Sequence, residues 1–497
     1  MRKEKCNQEC GFTRGHVGFV AVTQMAPSSV YTRNVRARFV LVVTLWLSPA
    51  LLAQQHAEAP RPGQIELRQI CAEHTDQTYA LYLPSSYTPQ KKWPIVYAFD
   101  PAARGNRPME AMKDAAERYG YIVAASNNSR NGAWQPEIEA AQAVSDDTHT
   151  RFSIDDRQVY FTGFSGGARV ASRIGQICKC AAGVFLNGAG FPIGSHPTRD
   201  AVFPVFSAVG NVDFNLPEVT RLDESLEAAG FQHFLRYFDG PHQWAPATVA
   251  EEAFAWFRLL AMKTGAVPRD ADFIAQQRDA ALARGKAIEQ AGDLYIAWRD
   301  YNASAATFEQ LTDATPLRQA ADALASQKTV KDGAKRQKQE FDEQADLTAD
   351  ISAAFAGFHR SSNLTDSIDS TKKQIVRLRE AAAREKRPEK ALVYRRAVAQ
   401  VFVYAMEAGI ERLEGKETTL AKDYFLLAAE ANPDEAGPFA NIAVAMVMDN
   451  NRKGALDALR QAKQRSPDHV AFAAWLQSEP TFQKFHDDPD FRVLLSN

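Results

Sequence analysis

A chain of 497 residues exceeds what one hydrophobic core usually serves, so two or three domains are expected. Apolar residues at 45% and charged residues at 24% exclude a disordered chain. A formal net charge of −2 gives no field that would draw in nucleic acid or an anionic membrane.

Residues 33–38 (RNVRAR) are basic and residues 39–53 (FVLVVTLWLSPALLA) almost wholly apolar. The pair reads as a secretory signal, residues 1–53, cleaved after Ala53, which implies export to the periplasm or beyond. The apolar run of about 15 residues falls short of the ~20 that span a bilayer, so no stable membrane anchor is expected after cleavage; an uncleaved anchor is the alternative. Met25 is a natural start for this signal, because the residues before it fit neither signal nor domain. Residues 54–63 are polar and contain proline, a linker.

Strand and helix then alternate. Strands are predicted at Gln64–Cys71, Gln77–Leu83, Pro94–Phe99, Tyr121–Ser126, Gln158–Thr162, Gly183–Asn187, Val202–Val209 and Gln232–Phe238, short runs rich in Val, Ile, Phe and Tyr. Amphipathic helices are predicted at Pro108–Arg118, Pro136–Thr148, Gly167–Cys178, Pro217–Ala229 and Ala247–Met262. The first two strands read as a hairpin, and the rest predict an α/β domain, a mainly parallel sheet with helices on both faces. Beyond the signal stand Cys71, Cys178 and Cys180, which allow one disulfide and one leftover thiol. They lack metal spacing and read as structural.

Near Thr264 the composition shifts to Ala, Glu, Lys, Arg, Gln and Leu, good helix formers with no convincing strand to the end. Asn432-Pro433-Asp434 recurs as Ser466-Pro467-Asp468, and Ala421 and Ala428 recur as Ala455 and Ala462, all at an offset of 34 residues. This resembles a tetratricopeptide (TPR) repeat, clearest over 403–473, with a diverged unit starting near Gly292 and including Ser304, Phe308 and Pro316. Residues 264–497 are therefore expected to be an all-α, TPR-like domain, which implies a protein partner.

Gly163-Phe164-Ser165-Gly166-Gly167 is a G-x-S-x-G motif between a predicted strand and a predicted helix, the setting of a nucleophile elbow. On this motif and its surroundings, residues 64–263 resemble the α/β-hydrolase family, in its small secreted esterase and dienelactone-hydrolase-like branch. The family has a mostly parallel eight-stranded sheet with flanking helices. Its chain order of nucleophile, acid and histidine implies Ser165, Asp213 after the seventh strand, and His242 after the eighth. Asn211, Asp223 and Asp239 are rivals to Asp213, which could also simply cap the helix opening near Pro217. A Ser hydroxyl needs a base to become nucleophilic, an imidazole titrates near neutrality, and a carboxylate fixes its tautomer.

Of the two amides an oxyanion hole needs, one is expected from Gly166. The other is expected from Ala102, since many relatives have His-Gly where this chain has Asp100-Pro101 and proline lacks an N–H. Asp100 is either an acceptor that holds this loop or a plain turn residue. Asn127, Asn128, Arg130 and Trp134 lie past the fourth strand, where α/β sheets bind ligands; they suit a polar or anionic group, or form a solvated turn. Trp244 either walls the pocket or packs.

No metal or cofactor is expected. An open cleft is expected unless the helical domain covers it, suited to a small-molecule or polymeric ester. The expected activity is serine hydrolysis of carboxylic esters through an acyl-serine; peptidase and thioesterase chemistry share the site. The alternative is a non-catalytic interaction protein in which the repeat array is the functional part.

Overall fold

The computed structural model describes residues 60–200, 202–361 and 363–495; the expected signal, residues 1–53, and residues 54–59 of the expected linker lie outside the described residues. Eight strands form one sheet: β1 Ile65–Ile70, β2 Thr78–Tyr82, β3 Trp93–Phe99, β4 Ile122–Ser126, β5 Ile154–Phe164, β6 Gly183–Asn187, β7 Val205–Gly210 and β8 His233–Phe238. Their order is β1-β2-β4-β3-β5-β6-β7-β8. β2 runs antiparallel to β1 and β4; every other pairing is parallel. This is the α/β-hydrolase fold.

Successive side chains of a strand point to opposite faces. In β3, Ile95, Tyr97 and Phe99 join one apolar cluster, while Val96 and Ala98 join the other. Both faces are covered, as a parallel sheet requires. Over the first lie α2 Trp134–Arg151, α3 Gly166–Cys178 and α4 Leu216–Ala228; over the second lie α1 Asn106–Tyr119 and α5 Ala247–Thr264. Cys178 is disulfide-bonded to Cys180, and Cys71 is a buried thiol.

The rest is helical. A first group is α6 Ala271–Gln290, α7 Leu294–Phe308, α8 Thr315–Ala325 and α9 Lys328–Lys331. Its apolar cluster includes Leu259 and Met262 of α5, so packing runs unbroken across the change in composition. A second group is α10 Gly333–Gly357, α11 Leu364–Arg384 and α12 Pro388–Glu414. A third is α13 Thr418–Ala431, α14 Gly437–Met448, α15 Arg452–Arg465, α16 His469–Ser478 and α17 Pro489–Leu495. The four recurring alanines, 421, 428, 455 and 462, are each fully buried. Small side chains there let helices approach closely. Among the described residues, no helix is long and apolar enough to cross a membrane.

Candidate active site

Ser165 sits between the end of β5 and the start of α3 with φ 53° and ψ −119°, a backbone state that costs on the order of 1–3 kcal/mol. The flanking glycines allow this turn. A Cβ on Gly163 would lie 2.0 Å from the Gly167 carbonyl oxygen, and one on Gly167 would lie 2.0 Å from that of Phe99. The Ser165 amide donates to the Asn187 carbonyl (2.9 Å), which ties the turn to β6.

The loops after β7 and β8 bring two more side chains to this turn. His242 Nε2 lies 2.9 Å from Ser165 Oγ, and its Nδ1 lies 2.9 Å from both carboxylate oxygens of Asp213. Asp213 is wholly buried and also accepts the Asn215 amide (2.8 Å). The imidazole lies between the rings of Phe164 and Phe214, each centroid 4.5 Å away. Gly188 makes room: a Cβ there would stand 2.8 Å from the Asp213 carboxylate and 3.2 Å from His242 Nδ1. The rival acids are engaged elsewhere. Asp223 pairs with His233 (2.6 Å) and Arg299, and Asp239 accepts from Asn211 (3.0 Å).

Ala102 requires a correction. Its amide donates to the Asp100 carboxylate (2.9 Å), so it is not available to a developing oxyanion. Asp100 is fully buried and also binds Arg104 (2.8 and 3.1 Å) and the indole N–H of Trp244 (2.9 Å). It therefore holds the loop, and Trp244 packs and bonds rather than walls the cleft. Asn127 and Asn128 are likewise corrected. Their side chains bond Leu67, Thr78 and Asp76 and pin the end of β4 to the β1–β2 hairpin. Arg130 is exposed, bridges Ala102 through backbone pairing and does not line the cleft.

From the same loop, Asn131, Gly132 and Trp134 do line a cleft of about 830 Å³ with Ser165 and Gly166. The Asn131 side chain packs directly on Gly166: a Cβ there would fall 1.7 Å from Asn131 Oδ1. The opposing lining comes from the helical region, through Phe355 of α10, Tyr404 and Glu407 of α12, and Tyr424 of α13. The helical region thus covers the cleft that short loops would leave open.

Glu137, near the start of α2, also lines the cleft, and burial pushes its carboxyl up to about 7. A carboxyl whose folded pKa is raised holds its proton more tightly folded than unfolded. Stability therefore falls as pH rises from the ordinary glutamate range through about 7. Glu137→Gln is expected to gain on the order of 1–3 kcal/mol at pH 8 and nothing at pH 4. Thermal unfolding at both pH values checks this; equal shifts at the two would contradict it. Glu137, Asn131 and Glu407 escape the sequence reading because long-range packing creates the cleft.

No family model and no curated protein matches the chain. Solved structures that resemble it include a fluorophosphonate-binding serine hydrolase F of Staphylococcus aureus, 13% identical, over 39% of this chain and 98% of that one, with a TM-score of 0.34. An S-formylglutathione hydrolase of the same organism is 13% identical over 40% of this chain and 98% of its own, TM-score 0.33. A hyperthermophilic esterase of Pyrobaculum calidifontis is 11% identical over 40% and 87%, TM-score 0.32.

Proposed function

We propose that this chain is an exported serine hydrolase that cleaves carboxylic esters through an acyl-serine, with a tetratricopeptide-like C-terminal region. The observation that carries the reading is the unbroken line of hydrogen bonds from Asp213 through His242 to Ser165 Oγ. His242 Nε2 takes the hydroxyl proton as Oγ bonds to the substrate carbonyl carbon, and the carbonyl oxygen becomes the oxyanion. Asp213 holds Nδ1–H and stabilises the imidazolium. Collapse breaks the bond to the alcohol oxygen, which leaves with the proton from Nε2. Water repeats the sequence on the acyl-serine and releases the acid. Peptide and thioester bonds follow the same steps with a different leaving atom. The basic and apolar stretches before residue 54 support export.

The Gly166 amide supplies one oxyanion donor, and the side-chain amide of Asn131 takes the role that Ala102 does not fill. Asn131→Ala is expected to lower kcat about ten- to hundredfold with KM nearly unchanged, because the interaction is made only in the transition state. An unchanged kcat removes Asn131 from the site. The hydrolase reading is tested with a fluorophosphonate probe, in which Oγ bonds to phosphorus as fluoride leaves. The native protein is expected to take label and Ser165→Ala to take none. A native protein that stays unlabelled overturns the reading.

A further inference from the structure

Six charged side chains line the cleft over Ser165: Glu137, Arg169, Glu218, Glu407, Glu411 and Arg412. Four are paired. Arg169 makes a two-pronged bond to Glu218 (2.6 and 2.8 Å), whose Oε1 also accepts the Gly190 amide (2.9 Å). Arg412 binds Glu411 (3.3 Å) and Glu417 (3.1 Å). Both cations are thus neutralised. Glu137 and Glu407 have neither an ion pair nor a hydrogen bond among the described residues. Glu137 is only 6% exposed. Glu407 is exposed at the cleft, where partial desolvation raises its carboxyl against the opposing pull of His242 and Arg169.

Burying the Glu137 carboxyl without a donor is costly, and the Glu407 carboxyl in the same cleft adds repulsion as both ionise. An anionic substrate would add repulsion, and a neutral apolar one would leave both carboxyls unsatisfied. A cation satisfies both. Other lining side chains favour the same ligand: Trp134, Tyr404 and Tyr424 line the cleft too, and aromatic rings attract ammonium and guanidinium groups. Taking the hydrolase reading as its premise, we propose that this cleft selects substrates carrying a cationic group, ammonium or guanidinium, recognised by Glu137 on α2 and Glu407 on α12. Specificity is then shared between the sheet domain and the helical region.

The test uses the full chain and three fluorophosphonate probes of equal length, ending in trimethylammonium, methyl or carboxylate. The rate of Ser165 labelling is measured for each. The ammonium probe is expected to react about tenfold faster than the methyl probe, and the carboxylate probe slowest. Glu137→Gln and Glu407→Gln are each expected to cut the ammonium-to-methyl ratio several-fold, whereas a purely structural effect would slow all three probes alike and leave the ratio unmoved. Label at Ser165 with equal rates for ammonium and methyl overturns the cation preference and leaves the hydrolase reading standing. A preference that survives both substitutions overturns the roles of Glu137 and Glu407. No label from any probe overturns the hydrolase reading and this inference with it.

Discussion

Ser165→Ala is expected to lower turnover of an activated ester by a factor of about 10⁴ or more, and His242→Ala by a similar factor. Each removes one end of the bond through which Oγ gives up its proton. The double variant is expected to be little worse than either alone, because a nucleophile without its base and a base without its nucleophile are equally idle. The folded state should tolerate both changes. Ser165 places its amide, not its hydroxyl, in the turn-closing bond to Asn187, and alanine keeps that amide. Alanine at 165 keeps the same strained φ, so no stability gain is expected either. Steady-state kinetics with circular dichroism of each variant gives the answer. A Ser165→Ala protein that is folded and retains most of its turnover places the nucleophile elsewhere.

Much of this site is legible in the chain because the family it resembles implies the order of its parts. A serine between glycines, an acid after the seventh strand and a histidine after the eighth are local signals, each read from a few residues. The strands are legible for the same reason: the apolar runs of β3, β4 and β6 are local. The start of β5 is not. Asp155, Asp156 and Arg157 are polar and precede the predicted strand, but Asp155 is buried and accepts from Arg157 and Gln158, and the strand begins at Ile154. Pro204 sets the start of β7, since it cannot donate to a ladder and Val205 is the first residue that can. Elimination points to Ala102, because proline at 101 has no N–H, but an aspartate readily captures the amide two positions on, and Asp100 does so here. Glu407 carries no local signal. Its place in the cleft depends on how α12 meets a loop almost two hundred residues earlier in the chain.

That meeting depends on Arg396, and its loss is expected to be the most damaging change outside the chemistry. Arg396 of α12 is almost wholly buried. It donates to the Asn211 carbonyl (3.1 Å), the Gln344 side-chain oxygen (3.0 Å) and Glu340 (3.3 Å). Gln344 of α10 in turn donates to the Phe214 carbonyl (2.9 Å). The two side chains therefore grip the loop on both sides of Asp213. Burial drags the guanidinium below its ordinary range while Glu340 opposes that, so the charge is held in place by these partners. Arg396→Met keeps much of the volume but strands two buried acceptors and one carboxylate. The expected cost is about 3 kcal/mol, since removing one partner of a buried charge pair leaves the other uncompensated and Glu340 is partly open to water. Asn211 and Phe214 flank the acid, so loosening them lets Asp213 shift from His242 Nδ1. The expected kinetic result is a loss of about tenfold or more in kcat, with KM changed less. Gln344→Leu, which breaks the Phe214, Arg396 and Gln400 contacts, should reproduce part of both effects. Thermal unfolding and steady-state kinetics on the two variants decide the point: full turnover in an Arg396→Met protein of unchanged melting temperature would mean that the helices only shelter the acid loop.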